Sequence, residues 1–137
     1  METKTLAGIS LFSGLSKKEL TRLDQWSDEV NVPAGTPLTG EGRFAHEFCV
    51  IVDGTATVTR DGRMIAELGA GDFFGEIALL ETTRRTATVT ASTPVRLIVM
   101  FEREFRLMTS EMPAVADRIR ATLRARLDIQ ATTDPEN

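Results

Sequence analysis

A carboxylate and a guanidinium share one glycine-punctuated stretch of this sequence, Gly71-Asp72-Phe73-Phe74-Gly75-Glu76-Ile77-Ala78-Leu79-Leu80-Glu81-Thr82-Thr83-Arg84-Arg85-Thr86-Ala87-Thr88-Val89. Gly75 permits close backbone approach ahead of a short helical turn predicted over Glu76 to Leu80, whose first N–H groups have no intrahelical partner. Such a turn offers its donors to an anion. Arg85, near the start of the next predicted strand, can bring a planar guanidinium to the same anion and engage two of its oxygens. Glu76 does not suit a bare phosphate site, because a carboxylate repels phosphate. It suits a site in which it accepts a hydrogen bond from a sugar hydroxyl beside the phosphate, so the ligand implied is ribose joined to phosphate. The spacing equally admits an ordinary surface ion pair between Glu76 and Arg85.

The elements that must hold these groups are strands in the middle of the chain and helices at both ends. Ser16 with Glu19 forms a capping box, Leu15 with Leu20 stands at hydrophobic-staple spacing, and together they predict a helix over Lys17 to Trp26. Leu20 and Leu23 continue one apolar face, which gives Trp26 a core role. From Val30 to Phe101 short β-rich runs alternate with turn residues, the pattern of an antiparallel sandwich or barrel. Asp53-Gly54 and Asp61-Gly62 read as hairpin turns, since glycine tolerates the positive φ of a tight turn. Thr55 to Thr59 alternates as a half-buried strand does, and Thr86 to Ala91 and Val95 to Phe101 supply two more, separated by Ser92-Thr93-Pro94. Helix resumes over Glu102 to Met108 and, after the break at Met112-Pro113, over about Ala114 to Ile129. Val115, Ile119, Leu123 and Leu127 form an apolar stripe on that last helix. Arg118, Arg120, Arg124 and Arg126 read as its solvated basic face, and residues 131–137 as a polar tail.

Composition narrows the classes of function. A chain of 137 residues with 42% hydrophobic and 26% charged residues is expected to form one soluble domain. No apolar run approaches the length that spans a bilayer, and Leu6 to Leu15 is too interrupted by glycine and serine for a secretory core, so a cytoplasmic location and no membrane partner are expected. Cys49 is the only cysteine and His46 the only histidine, which excludes a disulfide framework and the common imidazole or thiolate metal clusters within one chain. Cys49 reads as a small buried hydrophobe and His46 as a loop residue without metal. The net charge of −4 argues against a basic nucleic-acid-binding domain.

The run Phe74 to Leu80, followed after a short gap by Arg85-Thr86-Ala87-Thr88-Val89, resembles the phosphate-binding cassette of the cyclic nucleotide-binding domain family, which includes the cAMP receptor proteins and protein kinase A regulatory subunits. The likeness extends to Phe12-Ser13-Gly14-Leu15, similar to the family's opening helical signal, and to Gly69 through Phe73 on the approach to the cassette. The resemblance implies an eight-stranded β-roll, a jelly-roll-like double-stranded β-helix, with an N-terminal helix and C-terminal lid helices. On that plan 1–28 is the N-terminal helical segment, 29–101 the β-roll with its cassette at 74–89, 102–130 the C-terminal helices and 131–137 the tail. It further implies that Arg85 pairs with the cyclic phosphate, Glu76 accepts from the ribose 2′-hydroxyl, and the Ala78 N–H contacts phosphate. Gly75 and Ile77 shape the turn, and Thr86 lies beside phosphate and base. Val58 and Ile65 fall where the family places apolar walls near the nucleotide, although core packing alone explains them equally well. Arg84 departs from the pattern, standing where the cassette often has proline.

The function so implied is non-enzymatic: cyclic nucleotide binding, cAMP favoured over cGMP, with no catalytic residues, no metal and no further cofactor. The last helix is expected to close over the pocket, with Ile119 or Leu123 covering the base, and to signal to a separate effector protein. The same stripe also suits a helix–helix homodimer contact. Only residues 131–137 follow the last predicted helix, so no helix-turn-helix and no direct DNA binding are expected. A cupin-like enzyme would need a metal cluster that one histidine does not supply. A ligand-free family member serving as an interaction or dimerisation scaffold stays open, because of Arg84.

Overall fold

A computed structural model describes the backbone of residues 3–39, 47–75 and 87–133, with side chains described over 5–39, 47–75 and 87–125. In chain order the elements are α1 (Thr3–Ala7), a 3-10 turn (Ser10–Phe12), α2 (Lys17–Trp26), β1 (Asp28–Val32), β2 (Pro37–Thr39), β3 (Glu47–Asp53), β4 (Ala56–Arg60), β5 (Arg63–Leu68), β6 (Phe73–Phe74), β7 (Thr88–Ala91), β8 (Val95–Phe101), α3 (Glu102–Glu111) and α4 (Pro113–Thr133). The eight strands form two four-stranded antiparallel sheets, β1-β8-β3-β6 and β2-β7-β4-β5. This is the β-roll with flanking helices that the resemblance implied.

Strands β3 and β8 of the first sheet are buried on both faces, which is why they read as nearly continuous apolar runs rather than as alternating ones. Side chains still point alternately up and down a strand. Phe48, Val50, Ile98 and Met100 therefore face a helical layer made with Leu6, Phe12, Leu23, Phe105, Met108, Val115 and Ile119. Cys49, Ile51, Val95 and Leu97 face the second sheet, where they meet Ala56, Val89 and Ala91. Trp26 is half-buried against the helical layer, and Cys49 is buried between the sheets, as expected of both.

Helix α2 starts where its capping box predicts: Ser16 Oγ accepts from the Glu19 N–H at 3.1 Å, and Glu19 Oε1 accepts from the Ser16 N–H at 2.9 Å. Five-residue α1 lies within the N-terminal helical segment expected over 1–28, though no periodic signal marks it. Asp61-Gly62 is a hairpin turn between β4 and β5, with Arg60 opposite Arg63 and both turn residues at positive φ, 54° and 78°.

Asp53-Gly54 is not a hairpin. Strand β3 pairs with β8 and β6, β4 with β5 and β7, and Asp53 to Thr55 carries the chain from one sheet to the other. It does so beside the second such crossover, Ser92-Thr93-Pro94, through a Thr55 N–H to Thr93 Oγ1 bond of 2.9 Å and a Ser92 N–H to Thr55 carbonyl bond of 3.0 Å. Gly54 has φ +98°, so its left-handed conformation serves a close approach of two crossovers rather than a strand pairing.

Arg118 also departs from the expected solvated face. Its guanidinium donates to the Leu11 carbonyl at 2.9 Å and the Ser13 carbonyl at 2.7 Å, tying α4 to the end of the 3-10 turn. Arg120 does lie on the solvated face, paired with Asp117 at 3.3 Å, and Arg124 is exposed.

Candidate site at the turn after strand β6

The approach to residues 74–89 is built from short-range bonds. Asp72 accepts the Gly69 N–H on its carboxylate at 2.8 Å and gives its own N–H to the Gly69 carbonyl at 3.0 Å, closing a compact turn. That turn is fixed to β3 by the Gly71 N–H to Ile51 carbonyl bond and the Ile51 N–H to Asp72 carbonyl bond, both 2.8 Å. Two-residue β6 then pairs with β3, Phe73 opposite Val50 and Phe74 opposite Cys49. Successive residues face opposite ways, so Phe73 enters the helical layer, where its ring centroid lies 5.6 Å from that of Phe48, and Phe74 enters the core between the sheets.

Gly75 follows at φ +94°, a left-handed conformation that glycine adopts without the cost of a Cβ. Glu76, Ile77, Ala78, Arg85 and Thr86 lie outside the described residues, as do Arg84 and His46. The chain is described again from Ala87 into β7, whose Val89 packs in the same apolar cluster as Phe74. Phe74 before the cassette and Val89 at its end thus pack in one core, each on a strand of a different sheet.

Val58 lies beside the return of the chain into β7 on the second sheet, and Ile65 one strand further out. Val58 stands opposite Val89 on one side and Ala66 on the other, and is half-buried against the inter-sheet core. The β4–β5 register then shifts, from Val58↔Ala66 to Thr59↔Met64, which makes Ile65 the extra residue of a bulge. Bulges re-aim a side chain, and Ile65 is 52% exposed rather than packed. Ile119 is placed elsewhere: it is 1% exposed in the helical layer, a cluster separate from the one that holds Val58. Leu123 is half-buried on the same helix. The described arrangement thus brings Val58 near the cassette's exit but keeps Ile119 on the far side of the first sheet.

One polar residue at this site gave no signal in the sequence. Thr39, 5% exposed, receives the Val89 N–H and donates to the Ala87 carbonyl, each at 3.2 Å, at the point where the chain enters β7. A single threonine between Leu38 and Gly40 has no pattern that announces such a contact. Among the described residues no group of three or more His, Cys, Asp or Glu side chains could hold a metal, and no helix is long and apolar enough to cross a membrane.

Comparison with known proteins agrees with this fold. The family model described as "Cyclic nucleotide-binding domain" matches residues 29–112. A cyclic nucleotide-gated potassium channel of Rhizobium etli is 35% identical over 117 residues, 85% of this chain and 33% of the channel. A cAMP-dependent protein kinase regulatory subunit of Mycosarcoma maydis is 31% identical over 124 residues, 84% of this chain and 24% of the subunit. Among solved structures, the catabolite activator protein of Thermus thermophilus superposes with a TM-score of 0.78 at 27% identity, over 89% of this chain and 60% of that one. The chain thus spans about a third or less of the channel and kinase-subunit relatives.

Proposed function

The chain belongs to the cyclic nucleotide-binding domain family, and from that premise we propose that it binds a cyclic nucleotide at residues 74–89, prefers cAMP to cGMP, and acts as a regulatory rather than a catalytic unit. The observation that carries the reading is the turn at Gly75 together with the shared packing of Phe74 and Val89, which sets both ends of the cassette on one core. In this reading Arg85 pairs with the cyclic phosphate, Glu76 accepts from the ribose 2′-hydroxyl and the Ala78 N–H adds a phosphate contact. Ile77 shapes the turn and Thr86 reaches phosphate and base. Val58 and the outward Ile65 supply an apolar wall for the base. Threonine at position 86 can favour cGMP in related domains, but threonine or serine there is equally at home in cAMP-binding bacterial members of the family, and on that ground cAMP is preferred.

Occupancy is read out by α4. A ligand moves such a helix only through its differential affinity for the two arrangements. Ile119 is packed in the helical layer, so a base-covering role for it requires α4 to leave that layer, whereas half-buried Leu123 has less packing to give up. The moving helix then passes the signal to a separate effector or to a second copy of the chain.

Calorimetric titration of cAMP and cGMP into wild type and Arg85→Ala tests the site. Loss of a charge-assisted phosphate contact should weaken binding by about 2–5 kcal/mol. Equal affinity in the two proteins refutes the assigned site, and binding of neither nucleotide by wild type favours the ligand-free scaffold.

A further inference from the structure

We infer that Thr39 is a positioning residue for Arg85 and Thr86, an inference that rests on the binding reading above. Strand β2 is an imperfect partner for β7. It is three residues long, it opens with Pro37, which has no N–H to give to a ladder, and its register shifts from Pro37↔Thr90 to Thr39↔Val89. At the shifted pair the Thr39 hydroxyl adds its own bonds to the ladder. Oγ1 accepts from the Val89 N–H and donates to the Ala87 carbonyl, at 3.2 Å each. One oxygen thereby does what a facing residue does with its N–H and C=O together.

The contact sits where the chain arrives from the cassette. On its other side β7 is paired with β4 only as far as Thr88, opposite Thr59. The tie to Ala87 therefore comes from the β2 side, one residue after Thr86 and two after Arg85. Among the described residues Thr39 is the one polar or charged residue that is buried as a whole. Burying a hydroxyl is unfavourable unless its bonds are made, and valine would fill the same space. Packing alone thus does not account for the hydroxyl, whereas fixing the direction from which Arg85 and Thr86 enter the site does.

The test compares wild type, Thr39→Val, Thr39→Ser and Ser16→Ala. Thr39→Val should bind cAMP about tenfold more weakly, the factor that one buried hydrogen bond supports, and Thr39→Ser should restore most of that loss. Ser16→Ala removes the distant α2 cap, lowers stability and should leave affinity unchanged, which separates positioning from general destabilisation. In the absence of nucleotide, amide exchange at Thr86 and Ala87 should be faster in Thr39→Val than in wild type. Unchanged exchange at those amides, or an affinity loss matched by Ser16→Ala, overturns the inference. A wild type that binds neither cAMP nor cGMP defeats the binding reading alone, and faster exchange in Thr39→Val then still supports the positioning of Thr86.

Discussion

A methyl group added at position 54 would point into the second crossover. Its Cβ would lie 2.3 Å from the Pro94 carbonyl oxygen and 3.0 Å from both Thr93 Oγ1 and Val95 Cα, on a backbone at φ +98°. Two of those three neighbours are backbone atoms that cannot swing aside. Gly54→Ala should therefore cost about 2–4 kcal/mol in a urea melt, strain and overpacking together. Gly62 has φ +78° but nothing within 4 Å of its added Cβ, so Gly62→Ala should cost only the conformational strain, about 1–2 kcal/mol. Equal losses would mean that the crossovers do not meet as described. The same dipeptide, Asp-Gly, thus serves a hairpin at 61–62 and a change of sheet at 53–54. Both uses need positive φ, which is legible in the letters. The neighbour that tells them apart, Pro94, is forty residues on in the sequence and is not legible.

Helices were readable to the extent that their signals are local. The Ser16–Glu19 box fixed the start of α2 because all its atoms lie within one turn. Arg118 looked like one more exposed arginine because its acceptors, the carbonyls of Leu11 and Ser13, are 107 and 105 residues away. The tie matters beyond one side chain, since it joins the first helical segment to the last. Arg118→Ala should lower stability by about 1–3 kcal/mol, the range for hydrogen bonds from a charged donor, and should speed exchange in the first half of α4. Arg120→Ala, which removes only the exposed pair with Asp117, should change stability by less than about 0.5 kcal/mol. A matching loss in the two variants would show that Arg118 is as solvated as the sequence pattern suggested. The apolar stripe on α4 was legible in the same partial way: the spacing of Val115 and Ile119 announced burial, but not that the surface they meet is the helical face of the first sheet.

The molecule as a whole has two cores divided by one sheet. The cassette ends pack in the core between the sheets, and α4 packs in the core outside them. Adjacent residues of β6, Phe73 and Phe74, enter one core each, so the strand that delivers the chain to Gly75 touches both. Saturating nucleotide should therefore alter amide exchange along α4 as well as at the cassette, and exchange that stays unchanged in α4 would remove that helix from the signalling route. A second readout is already built into the chain. Trp26 is its one tryptophan, tyrosine is absent, and the indole leans on the outer core that α4 helps to form. The indole emission of this chain thus comes from a single fluorophore on the outer core rather than on the core that holds Phe74 and Val89, so a change in that emission on adding nucleotide reports on the helical layer without attaching a dye.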